Sequence, residues 1–206
     1  AGVLASVCHK HRAKLIHTST DYVYDGAKRR PLKEDDAVTP INVYGYSKLR
    51  GEDLILSNDP DALIIRTSWV YSSYGNNFVK TMLRLFKEKE SINVLNDQFG
   101  CPTYAADLAG TIMKFIECFE NDTIHKGIVN YCNSGITTWF DFALAIKEFV
   151  KSNCKILPVS TSQYPTPARR PLYSVLDTSK IKLMLGESIP NWKDSLYKCL
   201  QSLGEI

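Results

Sequence analysis

Two short apolar runs, Ala13–His17 and Ala62–Arg66, each break off into hydroxyl and aromatic residues, and a segment of helical character lies between them. Strand, loop, helix and second strand in that order make a parallel crossover, since parallel neighbours need a connection of a dozen or more residues. Runs this apolar read as strands covered on both faces, so the chain is expected to be α/β, with part of a doubly wound (Rossmann-like) parallel sheet. Further alternation follows: helix from about Asn76 to Glu88, strand Ile92–Leu95, helix Ala105–Phe119, strand Ile128–Tyr131, helix from Thr138 and strand Lys155–Ser160. Two short helices near Asp177–Leu185 and Asn191–Leu203 close it. These later elements are expected to finish the sheet and to build a smaller C-terminal substrate lobe. The approximate division is 1–67 and 68–206, with the two lobes interleaved along the chain.

In an open α/β sheet, ligands bind at the carboxyl ends of the strands. The stretch from Ser19 to Lys48 begins at such an end with Ser-Thr-Asp-Tyr-Val-Tyr and closes on a helix opened by Pro40. On that helix Tyr44 and Lys48 are four residues apart and share a face. A nearby ammonium favours a phenolate, and the Thr20 hydroxyl could hydrogen-bond a carbonyl oxygen as negative charge develops on it. The spacing alone is weak, because 11 tyrosines and 17 lysines in 206 residues produce Tyr-x-x-x-Lys about once by chance. The second copy, Tyr24 to Lys28, is interrupted by the turn signal Asp25-Gly26 and is set aside.

Longer segments carry more. The runs STDYVYDG…TPINVYGYSKLRGE, RTSWVYSSYGNNFVKTMLRL, NDQFGCPTYAADLA and YPTPARRPLYSVLDTSKI occur in this order over nearly the whole chain. Together they resemble the dTDP-4-dehydrorhamnose reductases, a family of extended short-chain dehydrogenases/reductases. The resemblance implies reduction of the 4-keto group of dTDP-4-dehydro-6-deoxy-L-mannose by NADPH or NADH, with Tyr44, Lys48 and Thr20 as the catalytic residues. It implies further that Tyr44, Lys48 and Ser19 meet the cofactor, and that Thr20, Asp21, Trp69, Arg169 and Arg170 meet the nucleotide sugar. By residue type alone, Trp69 is equally an aromatic closing the top of the core, and Arg169 and Arg170 could tie their proline-stiffened segment, Tyr164–Pro171, to neighbouring carboxylates instead of gripping a diphosphate.

Members of the family open on a strand and a glycine-rich turn that holds the cofactor pyrophosphate. No two of the 11 glycines here are two or three residues apart, so the chain is expected to be the C-terminal part of a longer reductase and inactive alone. Two other functions stay open: a nucleotide-sugar epimerase or dehydratase that recycles its cofactor, and a regulatory subunit resembling that of methionine adenosyltransferase.

A net charge of +3 and short basic clusters give no footprint for nucleic acid, and no run is long enough to span a membrane. His9 and His11, two apart on a helix, point in different directions, and Glu34-Asp35-Asp36 reads as a solvated rim, so no metal site is expected. Six scattered cysteines without a Cys-x-x-Cys pair read as reduced thiols of a cytoplasmic protein. The expected ligand is a nucleotide sugar, and a homodimer is compatible with the family.

Overall fold

The computed structural model describes residues 1–120, 125–164 and 167–206. In chain order its elements are α1 (Gly2–Lys10), β1 (Ile16–Thr20), α2 (Val43–Asn58), β2 (Leu63–Thr67), β3 (Val70–Tyr71), α3 (Phe78–Glu88), β4 (Ser91–Leu95) and β5 (Phe99–Gly100). They continue with β6 (Thr103–Tyr104), α4 (Ala105–Glu120), β7 (Gly127–Asn130), β8 (Thr137–Thr138), α5 (Trp139–Phe149), β9 (Lys155–Val159), α6 (Ser179–Leu185) and α7 (Trp192–Ser202).

The main sheet has the order β1-β2-β7, all parallel, with Thr20 opposite Thr67 and Arg66 opposite Asn130. Central β2 is buried throughout. Its side chains alternate between two helical layers: Ile64 packs with Ala5 of α1 and Ile55 of α2, while Leu63 and Ile65 pack with Leu108 and Phe115 of α4 and Ile181 of α6. Both faces are covered, which is why β2 reads as an unbroken apolar run.

A second parallel pair, β4 and β9, runs in register from Ser91 opposite Lys155 to Leu95 opposite Val159. With α3, α5 and α7 it encloses a separate core that includes Val79, Met82, Phe142, Ile146, Leu196 and Leu200. Two-residue pairings, β3 with β6 and β5 with β8, stitch the region between the two cores.

Two boundaries differ from the sequence reading. The first strand is Ile16–Thr20 and not Ala13–His17, so Ser19 and Thr20 are strand residues. Helix α2 begins at Val43, three residues beyond Pro40, because the Asn42 side chain accepts from Gly45 N at 2.8 Å and caps it there. Gly45 is required at that point: a Cβ would stand 2.1 Å from the Tyr22 carbonyl oxygen, so only glycine lets α2 rest on the segment after β1.

The acidic loop faces solvent at Asp35 and is pinned on either side of it. Arg30 and Lys28 both bind the Asp36 carboxylate, which holds its pKa well below the usual range, and Glu34 accepts from Asn130 N at 2.8 Å. Beneath it lies a buried ion pair. Glu52 of α2 takes the Ser19 hydroxyl at 2.5 Å and the Arg66 guanidinium at 2.7 and 3.0 Å, and Arg66 also donates to the Tyr24 hydroxyl at 2.8 Å and to Glu34 O at 3.2 Å. Removing one partner strands a charge, so Glu52→Ala should cost about 3–5 kcal/mol in urea unfolding, whereas Glu52→Met with Arg66→Met should cost less than either single change. A double variant weaker than both singles would contradict this account.

Candidate active site

The carboxyl ends of β1 and β2 converge because Thr20 and Thr67 are in register, which brings Asp21 and Tyr22 beside the segment that leads to Trp69. The Thr20 side chain caps the helical turn Asp21–Val23 by accepting from Tyr22 N at 3.2 Å, and donates to Asp21 Oδ1 at 3.1 Å. Both bonds are long for a hydroxyl and exchange readily for a stronger acceptor. Asp21 is buried, and among the described residues its Oδ2 has no hydrogen-bond partner. Burial raises its pKa to about 6, against the smaller opposing influence of the neighbouring Ser174 and Thr20 hydroxyls.

Tyr44 lies in the first turn of α2, exposed, with its ring edge-on to Tyr22 at 5.7 Å. Lys48, one turn later, points to the strand: its ammonium donates to Thr18 O at 2.7 Å and stands 3.5 Å from His17 Nε2. Among the described residues no hydrogen bond joins it to the Tyr44 phenol, one turn earlier on the same helix. Burial lowers the pKa of Lys48, and burial followed by the Lys48 charge lowers that of His17.

The Ser19 hydroxyl is turned inward and donates to Glu52 Oε1 at 2.5 Å.

Trp69 follows β2 with φ +49°, a left-handed backbone that is strained for a bulky residue. Its indole lies flat on that of Trp139, with centroids 3.6 Å apart and planes at 9°. Trp139 in turn lines a cavity of about 380 Å³ with Phe78, Val94, Leu95, Val159, Tyr164 and Arg170. Arg170 also stands beside the half-buried Tyr22 hydroxyl, whose pKa is raised chiefly by burial against the opposing charge of that guanidinium. Tyr44, Tyr22 and Arg170 thus form a continuous path from the phenol to the cavity. Arg169 differs: its carbonyl accepts from the Asn42 amide at 2.8 Å, and its side chain is not among those lining the cavity. Of the proline-stiffened segment, Pro165 and Thr166 lie outside the described residues.

The RmlD substrate binding domain matches residues 1–205. The chain belongs to that family. It is 40% identical to a dTDP-4-dehydrorhamnose reductase of Aggregatibacter actinomycetemcomitans, covering 94% of this chain and 68% of that protein. To the dTDP-4-dehydrorhamnose reductase of Escherichia coli K12 it is 42% identical, covering 97% of this chain and 69% of the relative. The crystal structure of the Bacillus anthracis reductase, solved in complex with NADP, superposes with a TM-score of 0.92 at 38% identity over 98% of this chain and 70% of that one. This RmlD-type chain therefore has the Rossmann-like fold expected from its crossovers. Among the described residues no helix is long and apolar enough to cross a membrane, and no three metal-ligating side chains cluster.

Sequence reasoning missed the stacking of Trp139 on Trp69 and the buried Glu52–Arg66 pair. The i, i+3 and i+4 pattern of α5 marked Trp139 as inward, but nothing local announced that a second tryptophan seventy residues upstream would lie on it.

Asp21 yields a pH test. Its proton is held more tightly in the folded chain than in the unfolded one, so its stabilising contribution is complete below the ordinary value of 3.8 and is lost as pH rises through about 6. A displacement of about two units corresponds to roughly 3 kcal/mol. Asp21→Asn, which stays neutral, should lack this loss and gain on the parent between pH 4 and 7 in urea unfolding; parallel pH profiles would show that folding leaves the Asp21 pKa at its ordinary value.

Proposed function

We propose that this chain takes part in the reduction of the 4-keto group of dTDP-4-dehydrorhamnose to dTDP-L-rhamnose, with Tyr44 delivering the proton to the sugar oxygen. One arrangement supports the reading: the exposed Tyr44 phenol and the half-buried Lys48 ammonium lie on one helix beside β1, which ends on the weakly held Thr20 hydroxyl, while the indole platform follows β2 and leads to a cavity lined by Arg170. In this division of labour residues 1–67 bring the acid–base groups, and 68–206 complete the sheet and form the sugar-binding lobe.

Tyr44 reaches outward from the first turn of α2, and its phenol is free to meet a bound ligand. The Thr20 hydroxyl leaves its long bond to Asp21 and donates to the keto oxygen, where charge accumulates as the carbonyl is reduced. Trp69 gives a flat apolar surface to one side of the sugar. Arg170 offers a planar fork to the diphosphate, and the cavity beside it is of a size to take a nucleobase. Arg169 is assigned no such contact.

A reduced nicotinamide dinucleotide supplies the hydride when bound. The residues present fit its sugar end: the exposed Tyr44 phenol and the Lys48 ammonium beside β1 are donors for ribose hydroxyls, while the Ser19 hydroxyl is engaged by Glu52. Burial lowers the pKa of Lys48, and the Glu52 carboxylate opposes that lowering. The same reading places the reaction in the cytoplasm, consistent with six free cysteines, and assigns no nucleic-acid partner.

Two outcomes are expected. Tyr44→Phe should lower the rate of keto-sugar reduction, followed as NADPH oxidation, by roughly 10²–10⁴ while nucleotide-sugar binding persists, and Thr20→Val should lose less. Undiminished turnover by Tyr44→Phe would remove the phenol from the mechanism. By calorimetry, Arg170→Ala should weaken dTDP binding about tenfold and Arg169→Ala should leave it unchanged, since only the former borders the cavity. Equal losses in the two variants would point to a diffuse charge effect instead.

A further inference from the structure

The Trp69 indole is held by two residues that come from one place. Trp139 lies flat against it, and Gly100 closes on its Nε1 side so tightly that a Cβ there would stand 2.5 Å from Cε2, 2.7 Å from Cζ2 and 2.9 Å from Nε1. The short antiparallel pairing of β5 with β8 sets Gly100 opposite Thr137 and Phe99 opposite Thr138, and Trp139 follows Thr138 directly. One pairing therefore builds both walls of the slot. The same segment grips the Trp69 backbone: Thr103 N donates to Trp69 O at 3.2 Å, and the adjoining Ser68 hydroxyl donates to Cys101 O at 2.6 Å. Phe78 backs Trp139 from the cavity side at 4.6 Å between centroids.

A near-parallel, face-to-face stack is not the arrangement two aromatic rings choose freely, and a left-handed backbone is not one a tryptophan chooses. Both are imposed by the surroundings, and both serve to present the Trp69 ring in one orientation. From this we propose that Trp139 and Gly100 are positioning residues for the sugar site: they act on the substrate through Trp69, holding its indole at the angle that accepts the hexose ring. The proposal rests on the reading of Trp69 as a sugar contact. It makes the β5–β8 pairing the determinant of which sugar is accepted, separately from the groups that handle the nucleotide.

Calorimetry with dTDP-L-rhamnose and with dTDP alone separates the sugar contact from the nucleotide contact. Trp69→Ala should weaken dTDP-L-rhamnose about tenfold, the scale of one aromatic contact, and leave dTDP unchanged. Trp139→Ala and Gly100→Ala should reproduce that pattern, Trp139→Phe should restore most of the affinity, and Trp69→Ala with Trp139→Ala should be no weaker than Trp69→Ala alone. The coupled-indole circular dichroism of the stacked pair should vanish in each tryptophan variant. Unchanged sugar affinity in Trp139→Ala or, should that variant not fold, in Gly100→Ala overturns the proposal, as does an additive loss in the double variant, which would mean direct contact by Trp139. If Trp69→Ala itself binds dTDP-L-rhamnose like the parent, the functional reading of Trp69 fails first and is recognised by that result alone.

Discussion

The Glu52–Arg66 ion pair is the interaction on which the rest of the site depends, because it joins four segments at one buried point. Glu52 belongs to α2, Arg66 to β2, Ser19 to β1, and the Tyr24 and Glu34 groups to the loop that follows. A desolvated carboxylate and guanidinium tolerate little displacement, since every ångström of separation exposes charge that water no longer stabilises. Glu52 lies one turn after Lys48 and two turns after Tyr44, so fixing it fixes the height and rotation of the helix that carries both. The Gly45 contact with Tyr22 O supplies the second constraint, at the other end of the same turns.

The parts of this architecture that could be read from the sequence are those in which burial is symmetrical. Strand β2 is covered on both sides and shows an unbroken apolar run, and α3 shows its inward stripe as Val79, Met82 and Leu83. Strand β1 was displaced in the reading because Ile-His-Thr-Ser-Thr is a polar strand, made viable by hydrogen bonds from its hydroxyls and not by apolar burial. The β4–β9 pair was visible as two strands but not as partners, since its register joins residues more than sixty positions apart. Pairings of two residues, such as β5 with β8, leave no periodicity at all.

Within the site, residue types were legible and their engagements were not. Thr20, Asp21 and Trp69 lie at or just beyond the strand ends, the Ser19 hydroxyl is turned onto Glu52, and Arg170 but not Arg169 lines the cavity. Serine and threonine at adjacent positions of a strand face opposite sides of a sheet, so one of the two had to point away from any ligand on a given face. That alternation was available in the sequence once the strand end was known to be Thr20 rather than His17.

The register of β1 against β2 has a wider meaning. In the proposed reading the proton-handling groups travel with β1 and α2, and the sugar-facing indole with its slot travels with β2 and the 99–139 segment; Thr20 opposite Thr67 is the point at which the two inventories face each other. Chemistry and recognition are thus carried on separate stretches of chain. Drift in the recognition stretch can change the accepted hexose while the acid–base stretch stays as it is, and a fold organised in this way is suited to produce reductases that share one reaction and differ in what they reduce.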